Sequence, residues 1–349
     1  MSRSPRQRVP RQRCPDPQPD TFGPSGLRVA VIILAEGAIR ERVLDTAHSI
    51  WSEGLSRHAY GQCDAAQMRT AWGRRRQRRF ALAEGGDVLA SAMQYDLSAV
   101  LDQQPVRACG IAEIFPQPAL AAGGPARELV DRLLEQAARD GATLALLFSE
   151  VNDEQQVAGF DVVPMIDVEI GVAEPPRRGA PMTLIRGGEE RDLAAIVAMG
   201  RIRAEPFRFH LDRDVEFEQY AITKKRLLAG LGAPGARQLH FFIAEEGITA
   251  AAYVVVSIVG GTWTVEECGD RDSSGARVGA ILQALIAREP VERRPTIRAW
   301  LPRGFVPPQV TIVSAKPSTE VMMLRPLGTT EVHPRLSGDD VLYWRSDIF

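Results

Sequence analysis

A hairpin, a strand, a glycine loop, a helix and another strand follow one another twice in this chain. The two loop glycines, Gly124 and Gly275, lie 151 positions apart. A repeat of about one domain length marks a duplicated unit. The first copy begins with "RRFALAEGGDVLASAMQYDLSAV" (78–100), two strand-like runs turning at Gly85-Gly86. Its helix carries Ala126, Leu129, Val130, Leu133, Leu134, Ala137 and Ala138 as one apolar stripe, and Asp140-Gly141 ends it. "ATLALLF" (142–148) is apolar throughout, as a strand buried on both faces must be. The second copy has the hairpin "LHFFIAEEGITAAAYVVVSIV" with its turn at Glu246-Gly247. Next comes "TWTVEECGDRDSSGARVGAILQALIARE", whose helix shows Val278, Ile281, Leu282, Leu285 and Ile286 on one face.

Flanking segments fill out the two units. A strand is expected at Val29–Ile33, a helix within 36–56, more strand in "FDVVPMIDVEIGV", a strand at "MTLIR" and a helix in "GEERDLAAIVAMGRIRA". "AEPPRRGAPM" (173–182) is the natural linker, being proline-rich and central. The expected fold class is therefore α/β with mixed sheets, in two units over 27–178 and 179–349. Residues 1–26, rich in Arg, Pro and Gln and lacking an aliphatic run, read as a disordered tail with no secretory signal.

Composition narrows the function. With 349 residues, 45% of them hydrophobic and 25% charged, the chain can build two cores. A net charge of −2 speaks against coating nucleic acid, and the five arginines of "GRRRQRR" (73–79) read as a solvated edge, local ion pairs or a lure for an anion. Cys14, Cys63, Cys109 and Cys268 have no CxxC spacing, and the five histidines no HxH or HExxH spacing, so no metal site is expected. No segment reaches the ~20 apolar residues of a membrane helix, so a cytoplasmic protein is expected. GxSxG is absent, which removes the usual foothold for hydrolase chemistry.

"AEIFPQPALAAGGPARELVDRLLEQAARDGATLALLFSE" (112–150) places Gly123-Gly124 just before a helix. Such a loop either holds a phosphate on the helix N-terminus or simply turns a corner. The doubled arrangement, with the strings "PARELVDRLLEQAARDGATLALLFSE", "GDRDSSGARVGAILQALIAREP" and "EVMMLRPL", resembles a tandem N-acetyltransferase of the GNAT superfamily. It is similar to the enhanced-intracellular-survival acetyltransferases without their sterol-carrier-like domain.

That resemblance implies acetyl-coenzyme A as cosubstrate, bound where the fourth and fifth strands splay apart, and a small-molecule amine as acceptor. Gly124 matches the glycine and Ala126 the Gly/Ala position of the family's Q/R-x-x-G-x-G/A loop. Ala121 stands at the Q/R position, and Pro125 removes one N–H. Backbone groups of Ile114, Phe115, Gly123, Gly124, Ala126 and Arg127 are then the coenzyme contacts. Family members often carry a tyrosine after the fifth strand as acid, whereas Gln155 and Gln156 stand in that region here.

Glu113 is the candidate base, with Phe349 behind it because the related enzymes end in a phenylalanine whose carboxylate serves as base. Period-two alternation puts Glu113 and Phe115 on one face and Ala112 and Ile114 on the other; whether Glu113 looks into the cleft or outward stays open. Trp51 and Tyr60 are candidates for an acceptor wall and Glu150 for recognition of its ammonium, beside the plainer reading of Trp51 and Tyr60 as helix-to-sheet packing. Glu266 and Glu267 precede a second loop in which Gly275, Arg277 and Gly279 offer two registers of a phosphate loop. A degenerate, structural second half is the expectation. Two functions stay open: an N-acyltransferase, or a GNAT scaffold that has lost transfer and binds a ligand or serves other chemistry. Partners other than the acceptor are not expected, neither nucleic acid nor membrane, and self-association into a homo-oligomer is left open.

Overall fold

The computed structural model describes residues 30–116, 124–150, 159–174, 184–328 and 335–347. The tail, most of the linker, Ala121, Gly123, Gln155, Gln156 and Phe349 lie outside the described residues. The first half contains β1 (Val31–Leu34), α1 (Gly37–Trp51), α2 (Arg57–Arg69), α3 (Ala71–Arg76), β2 (Gln77–Glu84), β3 (Asp87–Leu101) and β4 (Gln104–Phe115). It continues with α4 (Pro125–Arg139), β5 (Leu144–Glu150), β6 (Asp161–Val163) and β7 (Ile166–Val172). The second half has β8 (Leu184–Gly187), α5 (Leu193–Ala204), β9 (Phe209–Leu211), α6 (Val215–Leu231), β10 (Arg237–Glu246), β11 (Thr249–Val259) and β12 (Thr262–Asp270). It ends with α7 (Ala276–Ile286), β13 (Ile297–Ala299), β14 (Val310–Pro317), β15 (Glu320–Pro326) and β16 (Val341–Leu342).

Two mixed sheets result. One has the order β1-β2-β3-β4-β5-β15-β6, with β9 on β3 and β16 on β9; the other runs β14-β7-β13-β12-β11-β10-β8. Within each, an antiparallel hairpin leads through a helix to a parallel neighbour: β3-β4, α4, β5 in one and β11-β12, α7, β13 in the other. The sequence duplication is thus a structural one.

The two sheets exchange strands. β7, encoded in the first half, lies between β13 and β14, and β15, encoded in the second, lies between β5 and β6. A cut at 178/179 therefore crosses both sheets, and neither half-chain contains all the strands of its own core.

The helix α4 shows why local pattern predicted so much. Ala126, Leu129, Val130, Leu133, Leu134 and Ala137 are all buried, against Ile111, Ala145 and Leu82 of the sheet. Burying each leucine is worth roughly 1.5–3 kcal/mol. The opposite face of that sheet packs on α3, α6 and the C-terminal segment through Trp72, Tyr95, Phe217, Tyr220 and Tyr343. Asp214 caps α6 by accepting from the Phe217 N–H at 2.8 Å. Because α6 also buries Ile222 in the second sheet's core, it wedges the two units together.

Candidate active site

β4 and β5 pair in parallel from Ala108–Leu144 to Ile111–Leu147. Beyond that point different neighbours hold them: Phe115 pairs with Ser91 of β3, and Phe148–Glu150 pair with Met322–Glu320 of β15. The β4–β5 ladder stops at Ile111–Leu147, which leaves the two strand ends unpaired with each other.

Between Met93–Ala112 and Ser91–Phe115 the β4 strand carries one extra residue, a β-bulge, with Glu113 at φ 46°. Left-handed backbone at a glutamate costs about 1–2 kcal/mol, and such strain gathers where a side chain must be aimed. The bulge corrects the alternation read from the sequence. Ile114 lies with Ile111 in the α4-facing core, while Ala112 lies against the core on the other side of the sheet. Ile114's side chain is buried and its carbonyl accepts from Trp51 Nε1 at 3.2 Å, so Trp51 braces the bulge from α1.

Glu113 faces neither bulk solvent nor an apolar core. Its side chain is 22% exposed, and Oε2 accepts from Arg79 Nη2 at 2.7 Å and from the Tyr60 hydroxyl at 2.9 Å. Arg79, only 4% exposed, also donates from Nη2 to Asp64 Oδ1 at 2.8 Å, and Asp64 is paired in turn with Arg40. Burial works against the charge on Arg79, but Glu113 and Asp64 more than offset it and hold the guanidinium protonated. Burial, together with the Glu113 carboxylate, pushes the Tyr60 phenol well above its ordinary range. Tyr60 is therefore a fixed donor. It is buried, so its place is beneath the carboxylate and not on an open acceptor wall.

At the other side of the splay, α4 starts at Gly124 and Pro125 without a side-chain cap. Both residues are exposed, and a Cβ added to Gly124 would meet nothing within 4 Å. Ala126 is buried, and Arg127 turns back along the helix to Asp131 at 2.6 Å. A helix N-terminus of this kind offers unpaired amides and the positive end of a dipole. Glu128 in the first turn, paired with Arg132 at 2.5 Å, brings a negative charge to the same end.

The second splay is built alike and closed. β12 and β13 pair from Trp263–Ile297 to Val265–Ala299, and a bulge at Glu266 follows. Glu266 is buried against Lys225 at 2.9 Å and Ser257. Glu267 is taken by Arg213, Tyr253 and the Ser346 hydroxyl of the C-terminal turn. At the N-terminus of α7, Asp270 accepts from the Arg277 N–H at 2.8 Å and from Arg277 Nη1 at 2.9 Å. The protein's own carboxylate occupies the place of an anion. Gly275, at φ 70°, has the Phe305 ring 2.6 Å from where a Cβ would stand, and Gly279 has Gln309 Oε1 at 1.8 Å. These glycines serve close packing.

Of the other residues singled out in the sequence, the Glu150 backbone pairs with Glu320 at the exit of β5. The arginine run splits: Arg78 is exposed, Arg75 pairs with Glu216, Arg76 pairs with Asp96 at 2.8 Å, and Arg79 enters the site. Sequence reading missed Arg79 and Asp64; strand alternation over Gln77, Arg78 and Arg79 was the signal that separates the buried arginine from its neighbour. It also missed Lys224, half-buried on α6, which burial and the adjacent Lys225 lower to about 8 and which feels the charge of Glu113. Among the described residues no group of His, Cys, Asp and Glu could hold a metal ion, and no helix is long and apolar enough to cross a membrane.

This two-unit fold is the one that solved GCN5-related N-acetyltransferases share. Solved structures carry the likeness. A GCN5-related N-acetyltransferase from Kribbella flavida matches with a TM-score of 0.61 at 16% identity, over 86% of this chain and 71% of that one. Eis1 from Mycobacterium abscessus matches with a TM-score of 0.55 at 16% identity, over 85% and 74%. The Saccharomyces cerevisiae N-myristoyltransferase with bound myristoyl-CoA matches with a TM-score of 0.50 at 8% identity, over 85% and 82%. Neither a family model nor a curated protein matches the chain.

Proposed function

We propose that this protein is an acyl-coenzyme A-dependent N-acyltransferase that moves acetyl from acetyl-CoA to a small-molecule amine in the first splay. One contrast carries the reading: the first helix N-terminus and bulge are open and partly exposed, while their counterparts in the second half are filled by Asp270, Phe305 and the C-terminal turn. The fold's solved neighbours include N-acetyltransferases and an acyltransferase with an acyl-CoA bound, which supports an acyl-CoA thioester as donor. Amides at Gly123, Gly124, Ala126 and Arg127 take the pyrophosphate, with Ile114 and Phe115 of β4 lying along the chain of the coenzyme.

The amine attacks the thioester carbonyl, a C–N bond forms, the C–S bond breaks, and the coenzyme leaves as thiolate. The amine's proton passes to Glu113, whose Oε2 is fixed by Arg79 and Tyr60, leaving Oε1 for the acceptor. Arg79 and Tyr60 are positioning residues in this scheme. Trp51, Glu150 and the Phe349 carboxylate are the remaining candidates for acceptor contact or proton transfer.

The Arg79–Glu113 ion pair also favours a second reading, a GNAT scaffold that binds an acyl-CoA without transfer, because it commits one carboxylate oxygen to the protein. A titration separates the two. Saturating acetyl-CoA should stabilise the pure protein by a few kcal/mol in a thermal-shift measurement. Free thiol should then appear with at least one member of a panel of primary amines. Stabilisation without thiol release selects the binding protein; no stabilisation by any acyl-CoA removes both readings.

A further inference from the structure

The C-terminal residues 335–347 tie the two units together. β16 lies parallel to β9, Tyr343 stacks on Phe148 at the β5 side of the first splay with ring centroids 4.6 Å apart, and Arg345 pairs with Asp167 and Glu320. The segment ends over the second splay in a cluster of unusual charge. Arg213 Nη2 meets Glu218 at 2.9 Å and Glu267 at 2.5 Å, and Nε lies 3.3 Å from Asp347 Oδ1.

One guanidinium thus faces three carboxylates, each no more than 3% exposed. The other groups around them are Tyr253 and Ser346, which both donate to Glu267, Asp214 at the start of α6, and the Tyr343 hydroxyl, which donates to the Asp347 carbonyl. Arg201, His210 and Asp212 line a small cavity shared with Glu218 and Asp347. No second cation closes the cluster among the described residues. Three buried carboxylates around a single arginine cannot all stay ionised without large cost. Either the acids hold protons or the segment lifts and admits water.

We propose that residues 335–347 form a proton-linked strap, docked while Glu218 and Asp347 around Arg213 hold protons and loosened as pH rises, so that the Tyr343–Phe148 wall of the first splay opens with it. The inference does not depend on the function proposed above. Burial, with Glu267 as a like-charged neighbour, pushes the Asp347 carboxyl up to about 6 against the pull of Arg213. Burial, with Glu267 and Asp347 beside it, pushes Glu218 well above the usual carboxylate range.

A raised acid stabilises the docked form fully below its undocked pKa, about 4, and that contribution is lost as pH rises to the docked value. Asp347 therefore acts between about pH 4 and 6, and Glu218 over a window that also opens near pH 4 and follows its own raised carboxyl. Each proton taken up on docking weakens docking about tenfold per pH unit in its window.

The test is amide hydrogen exchange of the intact protein from pH 4.5 to 7.5, reported as protection factors so that the intrinsic rate is removed. Protection of 339–347 should fall by more than tenfold across the range while that of α4 holds. Asp347→Asn should make the dependence shallower below about pH 6 only, and Glu218→Gln should make it shallower from about pH 4 upward. Should either variant fail to fold, the other still tests its own contribution. Constant wild-type protection, or the same pH dependence in the variants as in the wild type, overturns the proposal.

Discussion

The two splays of this molecule have the same wiring and opposite states. Each follows a hairpin and precedes a helix, each opens at a bulged glutamate, and each lies beside a parallel neighbour. In the first, Glu113 keeps some exposure and α4 begins uncapped at an open glycine. In the second, Glu266 and Glu267 are buried in ion pairs, and Asp270 neutralises the α7 N-terminus. The difference shows how a duplicated site becomes structural. Its anion-binding amides are satisfied from within, and its cleft is filled by side chains and by the C-terminal turn.

The sharpest way to break that contrast is at the two loop glycines. Gly124 has extended backbone, φ 169°, and free space, so Gly124→Asp should fold normally and lose acetyl-CoA affinity by about 10³-fold, since a carboxylate would stand where the pyrophosphate binds. Unchanged affinity by calorimetry would move the coenzyme elsewhere. Gly275→Ala should instead destabilise the protein by about 2–4 kcal/mol, combining a positive φ with overpacking against Phe305. A melting temperature equal to wild type would show that the second loop is not tightly packed.

Smaller effects test the carboxylate. Glu113→Gln should lower acyl transfer by roughly 10²-fold near neutral pH with little change in coenzyme affinity, followed by thiol release. Equal rates would pass the base to Glu150 or the Phe349 carboxylate. Tyr60→Phe removes one of the two donors on Oε2 and should cost about tenfold in the same assay while leaving the fold intact. The smallest expected effect belongs to the second half: Arg277→Ala should leave acetyl-CoA affinity within about twofold, because its amide and side chain serve Asp270. A large loss there would reverse the assignment of the two splays.

Much of this architecture was legible in the chain because its cause is local. The α4 stripe, the turn at Gly85-Gly86, a second hairpin turn that falls at Gly247-Ile248, one residue past the expected Glu246-Gly247, the apolar run of β5 and the repeat spacing all follow from helical or strand periodicity and from turn chemistry. Glu113 could be placed at a strand end by the same reasoning, yet not its direction. A bulge is decided by how β4 aligns with β3, and that alignment depends on contacts far along the sequence. Arg79 was hidden inside a charge run because its burial depends on Asp64 and Glu113, residues 15 and 34 positions away.

What the sequence determined by itself was the set of elements, their duplication and the residues that face a core, since propensity and periodicity act over a few residues. Only the tertiary structure decided that β7 and β15 change sheets, that the β4–β5 ladder ends at Ile111–Leu147, and that the C-terminal turn closes one splay and leaves the other open. Those outcomes depend on which buried surfaces and charges meet after folding. The strand exchanges link positions more than a hundred residues apart, and the C-terminal turn meets Glu267 across 79, so no local pattern encodes them.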